Sequence, residues 1–182
     1  TDPEPGTGVS VDRSLVLKAR GWKEGLSPSG ARAGFYLVTG ALASGQEHIL
    51  ALAADQAVWS WGNNAQGQLG SGSTASRALP GLISGLTDIV AVSAGNYHSL
   101  ALDASGRVWA WGQNNKGQLG DGTTTNSLLP KEVLGLTGVV AIAAGPRHSF
   151  AVKTDGTVVS WGDNSYGQLG DGTKTQRTSP VA

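Results

Sequence analysis

The chain contains no cysteine and no methionine, and only 14% of its 182 residues are charged. Without cysteine it can form neither disulfides nor thiolate metal sites. No apolar run approaches the roughly 18 residues that a membrane-spanning helix requires, so we predict no membrane insertion. Its 13 basic and 13 acidic residues balance. The composition therefore predicts no binding to nucleic acid.

Two further features of the composition bear on where the protein acts. The first residue is Thr rather than Met, and we expect a chain that has been processed or trimmed. The sequence is rich in Gly, Asn and Thr, with 28 glycines. A polar surface of low charge is compatible with an exported bacterial protein, so we predict an extracellular or cell-surface location.

The sequence repeats with a period of fifty residues. Each repeat carries a His, a Trp, a Gly-Gln-Leu-Gly run and a Pro at matching positions. The positions are His48, His98 and His148; Trp61, Trp111 and Trp161; Gly67, Gly117 and Gly167; and Pro80, Pro130 and Pro180. Such a period is typical of repeat architectures, and residues found three times in register are best read as structural.

Each repeat reads as about four short antiparallel strands. In the third repeat, strands are predicted at 139–143, 149–153 and 157–161, with an Asp155-Gly156 hairpin turn between the last two. The first repeat has Gln56 in place of that glycine, which predicts another type of turn. A weaker fourth strand is predicted after the proline, at 81–83 or 131–134. Four-stranded units of this length predict all-β, β-propeller-type blades.

The repeats divide the chain into a predicted N-terminal segment and a repeat domain. Residues 1–33 do not follow the period, and we expect a linker with a degenerate blade or flanking strand. The repeat domain covers 34–182, with units at about 34–83, 84–133 and 134–182. The chain stops at Pro180-Val181-Ala182, where the fourth strand of the last unit is predicted to begin. We therefore expect either a fragment of a propeller or one completed by other copies.

Residues 108–123, Val-Trp-Ala-Trp-Gly-Gln-Asn-Asn-Lys-Gly-Gln-Leu-Gly-Asp-Gly-Thr, together with 143–152, resemble the repeat of the regulator-of-chromosome-condensation family. The match covers roughly residues 36–182. It implies a β-propeller, usually of seven blades, and the chain looks like a bacterial-type member. Members of this family act as nucleotide exchange factors for small GTPases, as a plant ultraviolet-light receptor, as an inhibitor of β-lactamases and as interaction modules of bacterial surface proteins.

The repeated His and Trp residues have alternative interpretations. The three His are interpreted as partly buried residues that bond backbone at blade junctions, with metal ligation as the alternative. The repeated Trp are interpreted as packing between blades, with a sugar-binding platform as the alternative. Trp22 lies outside the repeat and is a candidate contact for a partner, or an anchor for the N-terminal segment.

Other polar residues suggest chemistry that their spacing argues against. His98, Ser99 and Asp103 form a nominal triad, but neighbouring strand residues point to opposite faces, so no nucleophile–base pair is expected within the strand. Asp121 and Asp171 lie near Asn-rich loops, where local turn bonds are favoured over a calcium site. We predict no catalytic, cofactor-binding or metal residues.

From these observations we predict a non-enzymatic module that acts through protein–protein contact. Its partner is either another protein or other copies of itself, assembled as a homo-oligomer or fibre in a surface or extracellular structure. The alternative is a soluble binding domain of the adhesin or enzyme-inhibitor type. A GTPase exchange factor is less favoured, because the sequence shows neither a wedge-like insertion nor a basic patch.

Overall fold

The fold was analysed in a computed structural model, which describes residues 15–19, 32–36 and 39–182, with side chains from Ala41 onward. In these ranges the protein is all-β, and no helix is long and apolar enough to cross a membrane. A two-stranded antiparallel hairpin, β1 (Leu15–Ala19) and β2 (Arg32–Tyr36), precedes three four-stranded antiparallel sheets. The predicted fold class is confirmed.

Each four-stranded sheet is one blade with its strands in chain order. Blade 1 comprises β3 (Thr39–Ser44), β4 (His48–Ala53), β5 (Val58–Gly62) and β6 (Arg77–Leu82). Blade 2 comprises β7 (Ile89–Ala94), β8 (His98–Asp103), β9 (Val108–Gly112) and β10 (Ser127–Glu132). Blade 3 comprises β11 (Val139–Ala144), β12 (His148–Lys153), β13 (Val158–Gly162) and β14 (Arg177–Val181).

The fourth strand of each blade differs from the prediction. It begins before the repeated proline rather than after it, so Pro80, Pro130 and Pro180 lie inside β6, β10 and β14. Proline is tolerated there because these are edge strands, where a missing N–H breaks no ladder and discourages pairing with other sheets. The expectation that the last unit lacks its fourth strand was therefore wrong, since β14 pairs with β13.

The turn between the second and third strands is the same in all three blades, contrary to the prediction for blade 1. In blade 1 the Gln56 N–H donates to the Ala53 carbonyl, as the Gly106 N–H donates to Asp103 in blade 2. The shared turn requires a positive φ at its third position, and Gln56 adopts φ 67° where Gly106 has 81°. The backbone bonds of the turn hold the glutamine in a conformation that favours glycine.

The hydrophobic core lies between the blades. We call the face that packs on the next blade in the chain the forward face, and the opposite one the rear face. In the first junction Leu50 and Val58 of the forward face of blade 1 pack with Trp111 of the rear face of blade 2. Leu100 and Trp161 repeat this arrangement between blades 2 and 3. The alternation of strand side chains thus gives each blade two contact faces.

Candidate functional site

A hydrogen-bonded relay of three residues crosses each blade junction. His48, on the forward face of blade 1, bonds through Nε2 to the Ser99 Oγ of blade 2, at 2.9 Å. The Ser99 hydroxyl donates in turn to the main-chain carbonyl of Gln68 in blade 1, at 2.8 Å. His98, Ser149 and Gln118 form the same relay at the second junction. His48 and His98 therefore bond a serine hydroxyl, where bonds to backbone were predicted.

The relay fixes which ring nitrogen of its histidines carries the proton, and burial keeps both rings neutral. A serine hydroxyl has one proton, and Ser99 gives it to the Gln68 carbonyl, so its oxygen must accept from His48 Nε2–H. Among the described residues, the Nδ1 atoms of His48 and His98 have no hydrogen-bond partner. Burial lowers the pKa of His48 to about 4, and burial together with the neighbouring histidines lowers that of His98 to about 3. Both side chains are neutral at pH 7.

The buried tryptophans donate to the same main-chain carbonyls as the relay serines. Trp111 Nε1 donates to the Gln68 carbonyl and Trp161 Nε1 to the Gln118 carbonyl, both at 2.9 Å. Each carbonyl therefore accepts two bonds from the next blade, one from a hydroxyl and one from an indole. Trp111 and Trp161 thus join adjacent blades, whereas Trp61 lies half-buried on the rear face of blade 1.

Glycines allow the blades to approach closely. A Cβ on Gly95 would lie 2.5 Å from the Gly145 carbonyl oxygen of the next blade. At Gly120, φ is 68° and a Cβ would lie 2.8 Å from Trp161 Nε1. Neither position accepts a side chain without moving the neighbouring blade. A Cβ on Gly67 or Gly117 would contact the fourth strand of the next blade, while among the described residues a Cβ on Gly167 would meet only the Thr173 carbonyl of its own loop within 4 Å.

An asparagine holds the loop after the third strand of each blade. Asn114 Nδ2 donates to Asp121 Oδ1 and to the carbonyls of Thr123 and Thr125, while its Oδ1 accepts from Leu119 N–H. Asn164 makes the same bonds in blade 3, with Asp171 as the carboxylate, and Asn64 makes them in blade 1 with Ser71 in the place of the aspartate. The loop carboxylates thus bond to their own loop. Among the described residues, no group of three or more His, Asp or Glu side chains is placed to hold a metal.

None of the described residues packs over the forward face of blade 3, and we call it the open face. It consists of Ala143, His148, Phe150, Val152 and Val158, together with the carbonyl of Gln168. Val158 is 54% exposed, whereas its counterparts Val58 and Val108 are 1% and 0% exposed. A Cβ on Gly170 would meet nothing within 4 Å, in contrast to Gly120. In the described part of the protein, the Gln168 carbonyl receives neither of the two donors that Gln68 and Gln118 receive.

The structure does not assemble the nominal His98–Ser99–Asp103 triad that the sequence suggested. Ser99 does pair with a histidine, but with His48 of the preceding blade rather than its neighbour His98. Both partners are buried, and the hydroxyl proton points to a carbonyl, so the pair is arranged to join blades. Trp22, the candidate partner contact, lies outside the described residues.

Sequence reasoning missed the relay serines and the glutamine carbonyls. Their bonds join residues that are 51 and 31 positions apart, so no local sequence pattern predicts them. The only signal was the serine after the histidine in two of the three repeats.

The chain matches known proteins along most of its repeat domain. The regulator of chromosome condensation (RCC1) repeat matches residues 55–102, 105–152 and 155–182, and a second RCC1 repeat description matches 41–68, 89–118 and 139–168. No curated protein sequence matches the chain.

Solved structures show the same fold. Prp20p from Saccharomyces cerevisiae is 28% identical with a TM-score of 0.73, over 83% of this chain and 39% of that one. Human WBSCR16 is 28% identical with a TM-score of 0.68, over 77% and 38%. The chain thus spans about two fifths of the length of these structures. With its repeats matched over more than half of its length and its blades superposing on theirs, the chain belongs to the RCC1 repeat family.

Proposed function

We propose that this protein is a non-enzymatic interaction module whose open face binds a partner protein. RCC1-type repeats are protein-interaction modules, and the structurally similar Prp20p binds Gsp1p and histones. The observation that carries the proposal is the exposure of Val158 at a position that is sealed in both other blades. An apolar sheet face rimmed by unused hydrogen-bonding groups is typical of a contact surface.

The two internal junctions indicate what kind of partner fits. The same forward-face positions in blades 1 and 2 are covered by a sheet that offers an indole N–H, a serine hydroxyl and small apolar side chains. The open face offers the complementary groups, namely the Gln168 carbonyl, His148 and an apolar surface. We therefore propose a four-stranded blade of the same repeat class, on a second polypeptide, as the occupant.

Site-specific photo-crosslinking tests this proposal. A benzophenone amino acid is placed at Val158 in the protein as it occurs in its cells, and at Val140 as the control. Val140 is 55% exposed on the same blade, and its blade 2 counterpart Val90 stays 48% exposed beside a packed junction.

The proposal expects position 158 to capture a peptide that carries the repeat, from a second polypeptide, while position 140 does not. Equal capture at both positions, or capture of the protein's own chain at 158, would overturn it.

Self-association is a second candidate. Leu42 on the rear face of blade 1 is 65% exposed and offers an apolar contact to the open face of another copy. A head-to-tail contact that does not close into a ring produces a fibre. Light scattering combined with negative-stain imaging tests this candidate, and monomers at every concentration would contradict it.

We also propose a cell-surface or extracellular location, supported by the polar composition with few charges. Fractionation of cells that carry the protein tests it, and recovery in the cytoplasmic fraction alone would contradict it.

A further inference from the structure

A notch between blades 1 and 2 collects residues that depart from the fifty-residue repeat. It is a cavity of about 350 Å³ at the end of the junction where the turns between the second and third strands lie. Its walls are formed by Gln56, Asp88, Asp103, Ala104, Ser105 and Arg107. The notch belongs to an internal junction and lies away from the open face, so its role does not depend on the proposed docking.

Two residues of the notch hold their side chains on a backbone conformation that favours glycine. Gln56, at φ 67°, and Asp88, at φ 54°, are the non-glycine residues with positive φ in the described part of the protein. Glycine takes the place of Gln56 in the other two blades, as Gly106 and Gly156. It also takes the place of Asp88 before blade 3, as Gly138. A side chain at such a position lowers stability, and clustered strain is typical of binding sites.

The opposite wall of the notch presents an anchored guanidinium group. Arg107 Nε donates to Asp103 Oδ2 at 2.8 Å, and the guanidinium carbon lies 5.6 Å from the centroid of the Trp109 ring. Trp109 Nε1 donates to the same carboxylate oxygen, at 3.3 Å. Within the described residues the terminal NH2 groups of Arg107 make no hydrogen bond, and the side chain is 48% exposed. The carboxylate and the indole thus orient the guanidinium and leave its terminal donors available to a ligand.

The turn itself does not require the Asp103–Arg107 pair. In blade 1 alanine occupies both positions, and in blade 3 they are occupied by Lys153 and Thr157. All three blades nevertheless form the turn with the same main-chain bonds. The charged pair and the two strained residues are therefore four departures from the repeat that meet in one cavity. Residues that the fold does not demand, gathered at one place, indicate a binding site.

The charges across the notch indicate the chemistry of its ligand. Asp88 is exposed and, among the described residues, has neither an ion pair nor a side-chain hydrogen bond, while Arg107 pairs with Asp103. Because Asp103 already offsets the charge of Arg107, an anion alone would be repelled by Asp88. A ligand that also carries a cation avoids this repulsion, since its cation faces Asp88 and its oxygens face the guanidinium. A cavity of about 350 Å³ is near the lower end of the range for ligand pockets and suits a group of amino-acid size.

We propose that the notch binds an ammonium group whose carbon also bears a carbonyl or carboxylate, as in a free α-amino acid or at the amino terminus of a polypeptide. The Asp88 carboxylate accepts from the ammonium, and the terminal NH2 groups of Arg107 donate to the oxygen. The Gln56 carboxamide oxygen is a further acceptor for the ammonium. Placing these side chains at strained positions lowers stability, which is a common accompaniment of function.

An NMR titration of the isotope-labelled protein at pH 7 tests the proposal, with the Trp109 indole N–H and the Arg107 Nε–H as reporters. L-Alanine carries both charges, L-alaninamide lacks the carboxylate, and N-acetyl-L-alanine lacks the ammonium. We expect N-acetyl-L-alanine to bind about 10- to 100-fold more weakly than L-alanine or L-alaninamide. L-Alaninamide that binds at least as tightly as L-alanine indicates a polypeptide amino terminus, and weaker binding indicates a free amino acid. N-Acetyl-L-alanine that binds as tightly as the other two, or no binding by any probe, would overturn the proposal.

Variants toward the repeat distinguish a ligand site from a structural one. Asp88→Gly and Gln56→Gly introduce the glycine of the other blades, so each should raise the melting temperature while weakening the binding of L-alanine and L-alaninamide. The loss should be about 10- to 100-fold for Asp88→Gly. Asp155→Asn is the matched control, because it removes an exposed carboxylate from the corresponding turn of blade 3, and it should leave binding unchanged. A lower melting temperature for both glycine variants, or unchanged binding in Asp88→Gly, would contradict the assignment of the notch.

Discussion

Replacing Ser99 with alanine should destabilise the protein more than removal of one ordinary hydrogen bond. The change deletes the only acceptor of buried His48 Nε2–H, and leaving such a donor unpaired costs about 1–3 kcal/mol. It also deletes one of two donors to the Gln68 carbonyl, which keeps the Trp111 indole. We expect a loss of about 2–3 kcal/mol, or about 4–12 °C in melting temperature for a chain of this length.

The matched control is Ser60→Ala in blade 1. Ser60 is as fully buried as Ser99, but its hydroxyl makes one bond, to the Leu69 carbonyl at 2.8 Å. Its loss should cost about 1 kcal/mol. Urea titrations of both variants measure the difference, and Ser99→Thr, which keeps a hydroxyl, should recover part of the loss. If Ser99→Ala costs no more than Ser60→Ala, the relay does not hold the junction together as argued.

Three further predictions follow from the loops and the buried histidines. Gln56→Gly should stabilise the protein by about 1 kcal/mol, because glycine adopts the positive φ of this position without strain. Gly156→Gln, at φ 83° with open space around it, should destabilise the protein by about the same amount. Thermal melts measure both, and effects of the same sign would refute the reasoning. The folded state lowers the pKa of His48 and His98, so the unfolded chain binds more protons than the folded protein below pH 6.5. The free energy of unfolding should therefore fall by about 3 kcal/mol for His48 alone between pH 6.5 and 4. NMR signals of the His48 and His98 imidazoles that titrate near pH 6.5 in the folded protein would contradict this. Asn114→Ala removes donors to three loop acceptors and the acceptor of a buried N–H, so chemical denaturation should show a loss of about 3 kcal/mol, and a loss under 1 kcal/mol would show that the loop holds itself.

The strand errors show where local patterns are insufficient. The edge strands begin before Pro80, Pro130 and Pro180, because a proline at a sheet edge sacrifices no ladder bond, and only the position of the strand in the sheet reveals that it is an edge. The turn at Gln56 has the same form as the turns that contain glycine, because neighbouring strands impose it on a residue that does not favour it. In both cases context overrode the propensity of a single residue.

The sequence by itself determined the architecture. A fifty-residue period with strand-like segments and Gly- and Asn-rich loops specifies four-stranded units that bury their faces against one another, whatever the details of each contact. Only the tertiary structure decided which groups meet between those units. His48 and Ser99 lie 51 positions apart, and their bond exists because adjacent blades place a forward face against a rear face. For the same reason, the exposure of Val158 gains its meaning only by comparison with the occupied junctions, since a side chain's partners are set by packing rather than by its neighbours in sequence.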